Sequence, residues 1–261
     1  MGVVNVTPDS FSDGGRYLDA RAAIAHGQQL AAEGAAILDV GGESTRPGAD
    51  PVSEEEELRR VVPVVEGLAG AARVSIDTSK TAVAAAALDA GADYVNDVTA
   101  FRGDPELAGL VGERGVDCCL MHMLGEPRTM QEDPRYDDVV DDVRAFLEQR
   151  VEFAVREGVR EERIMVDPGI GFGKTLEHNL ELLRRLDRIA TIGFPVVIGT
   201  SRKTFLGRLT GREDPHDRVA ATVATTVLAL ERGASVFRVH DVAPTRDALA
   251  VATATLRADG A

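Results

Sequence analysis

The stretch Gly115-Val-Asp-Cys-Cys-Leu-Met-His122 sets the pattern for the whole chain. A glycine ends a helix-like segment, a short apolar run follows, and polar residues begin where the run stops. Glycine just past a helix end suits a left-handed cap, which a residue without Cβ adopts cheaply. The same unit recurs. Gly34, Gly70, Gly91, Gly158, Gly193 and Gly233 each follow a helix-like stretch and precede an apolar run. Seven such junctions imply eight strands. We place them at 2–5, 36–40, 73–76, 93–96, 117–121, 163–166, 196–199 and 235–239. Continuous apolar runs of this length fit parallel strands buried on both faces.

The segments between the runs read as amphipathic helices with recognisable starts. Ser53 with Glu56 has the spacing of a capping box. Asp104-Pro105 and Asp214-Pro215 set a cap before a proline. Val139, Val143, Phe146, Leu147 and Val151 share one helical face. Eight strands alternating with helices in 261 residues predict an α/β protein, a single-domain (β/α)8 TIM barrel over residues 1–261. An open doubly wound sheet is the runner-up. It is disfavoured because polar residues follow nearly every strand rather than gathering at one switch point. The chain starts abruptly in its first strand, so an upstream segment is expected to be missing.

Composition narrows the function. A 44% hydrophobic fraction suffices for a large core, and the net charge of −14 argues against a general nucleic-acid or membrane binder. No apolar run has membrane-spanning length, and no signal peptide is visible. The two cysteines, Cys118 and Cys119, are adjacent. Strand neighbours point to opposite faces, so we read both as reduced core residues of a cytoplasmic protein.

In such a barrel the C-terminal strand ends converge on the active site. Reading across them gives Asn5, Asp39, Asp77, Asn96 with Asp97, Met121 with His122, Asp167, Ser201 to Lys203, and Arg238 to Asp241. A ring of polar groups at all eight ends suits a heteroatom-rich ligand. Singly, Asp39 and Asp97 read equally as structural or as ligand-binding, His122 reads as structural, and Asp241 as orienting its neighbours or capping a helix. Two long connections, 6–18 and 41–52, carry Phe11 and Arg46. Arg46, Lys203, Arg238 and His240 would form a local positive well for phosphate or diphosphate. Gly169, Gly171 and Gly173 around Phe172 let backbone approach a ligand.

These residues lie in segments that together resemble the dihydropteroate synthase family. The segments are Asn5-Val-Thr-Pro-Asp-Ser-Phe-Ser-Asp-Gly-Gly15, Gly42-Glu-Ser-Thr-Arg-Pro-Gly48, Asp77-Thr-Ser-Lys80 and Asn96-Asp97. Met121-His-Met123, Pro127-Arg-Thr-Met-Gln131, Asp167-Pro-Gly-Ile-Gly-Phe-Gly-Lys174, Ser201-Arg-Lys203 and Arg238-Val-His-Asp241 follow in order. Leu124 and Glu126 depart from the pattern of relatives. The resemblance implies a transferase of folate biosynthesis. It would join p-aminobenzoate to 6-hydroxymethyl-7,8-dihydropterin diphosphate, releasing diphosphate, and be a target of sulfonamides.

By the same resemblance, Asp167 would bind the guanidine-like edge of the pterin, and Asp77 and Asn96 other ring heteroatoms. Lys203, Met121, Phe172 and Arg238 would line the ring. Asn5, Thr45, Arg46, Arg238 and His240 would hold the diphosphate, with Asn5 as the protein ligand of Mg²⁺. Phe11, Thr45, Pro47, Phe172, Ser201 and Lys203 would form the p-aminobenzoate site. Lys203, Arg238, His240 and Arg46 would carry the chemistry, and a homodimer through the late helices is expected. The rivals are a non-catalytic pterin-binding paralogue and a pterin-dependent methyltransferase barrel. The retained Thr45, Arg46, Lys203, Arg238 and His240 argue against the first, and the Ser201-Arg-Lys203 and Arg238-Val-His240 segments against the second.

Overall fold

In the computed structural model, residues 1–7, 16–45, 48–126 and 128–257 are described. The strands are β1 (Gly2–Asn5), β2 (Ile37–Gly41), β3 (Arg73–Asp77), β4 (Tyr94–Asp97), β5 (Asp117–Met121), β6 (Ile164–Asp167), β7 (Val196–Ile198) and β8 (Ala234–Phe237). The helices are α1 (Arg16–Ala32), α2 (Glu54–Leu68), α3 (Thr81–Asp89), α4 (Glu106–Arg114), α5 (Val139–Arg156), α6 (Leu176–Arg184), α7 (Leu186–Ala190), α8 (Thr204–Thr210), α9 (Val219–Glu231) and α10 (Val242–Arg257). The strands run parallel in sequence order. A parallel bridge between Gly2 and Val239 closes the sheet on itself. The Val3 amide donates to the Val239 carbonyl at 3.0 Å, and the Val239 amide to the Met1 carbonyl at 2.9 Å. The predicted (β/α)8 barrel is therefore the observed fold.

Several strand limits differ by a residue from the sequence reading. β3, β4 and β6 each take in one polar residue, Asp77, Asp97 and Asp167. Hydropathy stops at the last apolar residue, whereas the backbone ladder is indifferent to side-chain polarity. All seven junction glycines have positive φ, as their placement requires.

The helix starts follow the expected chemistry with two changes. Ser53 Oγ accepts from the Glu56 amide at 3.3 Å, but the Glu56 carboxylate turns to Arg59 and Arg60, so the capping box is half made. Asp104 serves two helices: Oδ1 accepts from the Glu106 amide of α4 and Oδ2 from the Thr81 amide of α3. Asp138, immediately before α5, accepts from the Val140 and Asp141 amides.

The core has two layers. A large cluster fills the space between strands and helices and includes Leu38, Val40, Val95, Cys118 and Leu120. A smaller one, with Ile37, Tyr94, Cys119 and Val197, plugs the barrel interior. Cys118 and Cys119 thus belong to opposite faces, and both are free and buried, as strand alternation predicts. Above the interior plug, Asp39, Ser75 and Asn96 are buried polar residues. At the opposite end, where the strands start, Asp117 pairs with Arg73 at 2.7 Å and Arg163 at 2.9 Å. No helix among the described residues is long and apolar enough to cross a membrane.

Candidate active site

Parallel strands of matched register deliver their last residues to one level. Asn5 lies opposite Gly41, Gly41 opposite Asp77, and Asp77 opposite Asn96. On the other side Met121 lies opposite Asp167. A Cβ at Gly41 would stand 3.4 Å from that of Asp77, in ordinary contact with it.

Arg238, one residue beyond β8, links the row to the layer below. Its Nε donates to Asp39 Oδ2 at 2.6 Å and its Nη2 to Asp77 Oδ2 at 2.7 Å. Asp39 also accepts from Ser75 Oγ at 2.6 Å and from Asn96 Nδ2 at 3.1 Å. Asp39 is fully buried, so Arg238 is a counter-ion as well as a rim residue. Burial works against the guanidinium charge, but Asp39 and Asp77 outweigh it and hold the Arg238 pKa above its ordinary value. Burial raises the Asp77 carboxyl against the pull of Arg238, with Asp39 adding to the rise. Asp39 gave only an ambiguous signal in the sequence, a lone carboxylate inside an apolar strand.

The connection after β6 forms the opposite wall. Asp167 Oδ1 accepts from the Gly169 amide at 2.7 Å. Gly169, Gly171 and Gly173 all have positive φ, and a Cβ on Gly169 would fall 1.8 Å from the His122 carbonyl oxygen. Here glycine is required by close approach of two backbones. Lys203 donates its Nζ to the Ile170 carbonyl and stands 4.5 Å from the Phe172 ring centre. Burial lowers its pKa to about 8, with Asp167 opposing and Arg238 adding. Burial raises the Asp167 carboxyl, against Lys203 and the Gly169 amide. Phe172 packs on an apolar cluster of Val98, Met121, Met123 and Met130.

Behind this wall lies a buried pair whose partnership the sequence did not reveal. Lys174 Nζ is 2.8 Å from His122 Nδ1 and donates to the Phe172 carbonyl at 2.9 Å. Burial drives the lysine far below its ordinary pKa. Burial and then Lys174 push His122 down to about 2, so its ring is neutral and can accept from Lys174. His122 is structural, in keeping with the sequence reading. Only the end of the Asp167–Lys174 motif hinted at Lys174.

On the third side, Ser201 Oγ accepts from the His240 amide at 3.1 Å and lies 3.0 Å from His240 Nδ1. Arg202, at φ +59°, forks onto Asp241 with bonds of 2.9 and 2.6 Å. This pair ties the connection after β7 to that after β8, the orienting part expected of Asp241. Asp97 accepts from the Thr99 and Phe101 amides and shapes its own turn. His178 completes a capping box with Thr175.

The structure therefore joins Asp77 to Arg238, and Arg238 to Asn96 through Asp39. It also joins Asp167, Phe172 and Lys203, Met121 with Phe172, and Ser201 with His240. Thr45 is half-buried after β2. Phe11, Arg46 and Pro47 lie outside the described residues.

A cup of carboxylates and cations at the C-terminal rim of a closed (β/α)8 barrel defines an enzyme with a polar small-molecule site. The family model described as "Pterin binding enzyme" matches residues 1–240. A dihydropteroate synthase of Neisseria meningitidis serogroup B is 48% identical over 257 residues, covering 96% of this chain and 90% of that protein. A Xanthomonas albilineans dihydropteroate synthase solved with 4-aminobenzoic acid superposes with a TM-score of 0.93 at 51% identity, covering 98% of this chain and 92% of that one. Another structure from that organism, in complex with 7,8-dihydropteroate, gives 0.88 at 48% identity, with the same coverage. The chain belongs to the dihydropteroate synthase family of pterin-binding enzymes.

Proposed function

We propose that the chain condenses 6-hydroxymethyl-7,8-dihydropterin diphosphate with p-aminobenzoate to give 7,8-dihydropteroate and diphosphate. The observation that carries this reading is Asp167. It is a buried rim carboxylate with one oxygen on the Gly169 amide and no ion-pair partner among the described residues. Such a group suits the paired N–H donors of a guanidine-like edge. The 4-aminobenzoic acid and 7,8-dihydropteroate of the two Xanthomonas structures, one substrate and the product of this reaction, support the same reading.

The pterin would lie between the Asp77–Asn96 side and the Asp167–Lys203 side, against Met121 and Phe172. Arg238, His240, Thr45 and Arg46 would take the diphosphate. The methylene C–O bond breaks with its electron pair leaving on diphosphate, whose growing charge these hydrogen-bond donors and the two guanidinium groups stabilise. The electron-rich dihydropterin supports the cationic methylene carbon. The aniline nitrogen then forms the new C–N bond and loses a proton. Phe11, Pro47, Ser201 and Lys203 would seat the p-aminobenzoate and keep water out. A sulfonamide, as a mimic of p-aminobenzoate, would compete there.

The Asn5 amide oxygen is a hard, neutral donor at the rim. Among the described residues no cluster of three or more His, Cys, Asp or Glu stands ready for a metal. Mg²⁺ would be held mainly by substrate oxygens and water, with Asn5 as one protein ligand. When bound, the ion would neutralise charge on the leaving diphosphate. We further propose a cytoplasmic homodimer, supported by two free buried cysteines. Exposed Leu228 on α9 and Val251 and Leu256 on α10, two helices packed together, support the dimer.

The test is diphosphate release by purified protein, omitting the pterin diphosphate, p-aminobenzoate or Mg²⁺ in turn. Release that needs Mg²⁺, with dihydropteroate formed only when both substrates are present, is the expected result. A folded protein that binds pterin and yields no product overturns the catalytic reading.

A further inference from the structure

Lys80 ends the Asp77–Lys80 motif, and the chemistry above gives it nothing to do. Its ammonium has three donors, and all three are used. Nζ donates to Glu43 Oε2 at 2.5 Å, to Glu57 Oε2 at 2.5 Å and to the Val52 carbonyl at 2.7 Å. Glu43 stands where the connection between β2 and α2 begins, and Val52 where it ends. Glu57 lies on α2 itself. One side chain from the β3–α3 connection therefore holds both ends of the preceding one.

Two further contacts press the same stem onto α2. Arg60 Nη1 donates to the Gly42 carbonyl at 2.8 Å. A Cβ on Gly42 would meet Val61 Cγ1 at 2.7 Å and Glu57 Cγ at 3.1 Å, so the chain lies directly on the helix. Glu57 is 1% exposed, and its Oε1 has no partner among the described residues. Lys80 is the one cation paired with it there. A buried ion pair is a poor way to pack a helix on a barrel, because an apolar residue of similar size does so at no desolvation cost. Its geometry here serves to fix position. Burial lowers the Lys80 pKa, but Glu43 and Glu57 more than reverse this, so the clamp stays charged.

We propose that Lys80 is a positioning residue for the second substrate, fixing Thr45 for p-aminobenzoate by clamping Glu43, Val52 and Glu57 together. The inference rests on the reading of Thr45 given above. Thr45 follows Glu43 by two residues, so the clamp sets where its backbone starts. Asp77 is held independently, by the β3–β4 ladder and by Arg238. The pterin site therefore keeps its shape when the clamp is cut.

The experiment compares the full-length chain with Lys80→Met and Glu43→Ala. Glu43→Ala cuts one arm without leaving buried Glu57 unpaired, and it carries the test if Lys80→Met does not fold. Amide hydrogen exchange is read by mass spectrometry over residues 42–45 and 48–52, and KM is measured for each substrate. Exchange there should quicken and the KM for p-aminobenzoate rise, each by about tenfold, the scale of one charge-assisted hydrogen bond. Affinity for 6-hydroxymethyl-7,8-dihydropterin, which lacks the diphosphate that Thr45 would touch, is titrated as well and should stay within about twofold, since no contact to the pterin ring is cut. Unchanged exchange in a folded variant overturns the clamp. Faster exchange with an unmoved p-aminobenzoate KM, or with affinity for the diphosphate-free pterin weakened as much, overturns its link to the second substrate. A wild-type chain that exchanges slowly there but forms no dihydropteroate overturns the functional reading instead, and exchange alone then decides the clamp.

Discussion

Lys203 and Asp167 show what it costs to gather charge at the rim of a barrel. Asp167 is buried and Lys203 half-buried, and each has its charged form disfavoured by that burial. With its pKa lowered to about 8 from 10.5, Lys203 burdens the folded chain fully while protonated. That burden fades as pH rises from about 8 towards 10.5. The function proposed for Lys203 runs the other way, because a neutral amine binds the pterin less well. We expect kcat/KM for the pterin diphosphate to fall as pH rises through about 8. Lys203→Arg should move that fall to higher pH, because guanidinium stays charged. An identical profile in the arginine variant would assign the titration to another group. Asp167→Asn should remove a buried charge and raise the melting temperature by about 2–4 °C, the shift expected for roughly 1 kcal/mol in a chain of this size. The same variant should weaken pterin binding by about 10- to 100-fold, since a charge-assisted pair is lost. Calorimetry and pterin titration on one sample decide both.

At the scale of elements, Arg238 joins β8 to β2 and β3, with Asp39 fully buried beneath it. Arg238→Ala strands that carboxylate, which typically costs about 3–5 kcal/mol. The single variant therefore confounds folding with catalysis. Asp39→Asn combined with Arg238→Ala should recover most of the melting temperature without recovering turnover. Recovered turnover would mean that Arg238 matters only as a counter-ion. The Asp167–Lys174 connection offers a second test. At Gly171, φ is +86° and a Cβ would stand 3.0 Å from Lys203 Cδ. Gly171→Ala should lower turnover more than the strain of about 1–2 kcal/mol lowers stability. A fall in melting temperature with normal kinetics would show that Lys203 does not depend on this connection.

Across the whole molecule, α9 and α10 present Leu228, Val251 and Leu256 to solvent, Val251 at 69% exposure. Val251→Glu should shift sedimentation from dimer to monomer if this face joins two copies. A wild-type chain that sediments as a monomer at micromolar concentration would remove the dimer from the proposal. The amino-acid sequence by itself determined the repeating unit. Apolar runs, helix-ending glycines and polar strand ends are local signals, and eight of them leave little choice of architecture. It also named Asp77, Asn96, Asp167, Lys203, Arg238 and His240 as rim residues, because strand ends are readable from where hydropathy stops. Only the tertiary structure decided which of these meet. Asp39 and Arg238 are 199 residues apart and become partners because β8 closes the barrel beside β1. His122 with Lys174, and Lys80 with Glu43 and Glu57, are likewise contacts between separate strand–helix units. A carboxylate in an apolar strand looks the same in sequence whether it is a ligand or a brace. Its partner is set by curvature and register, which belong to the closed sheet.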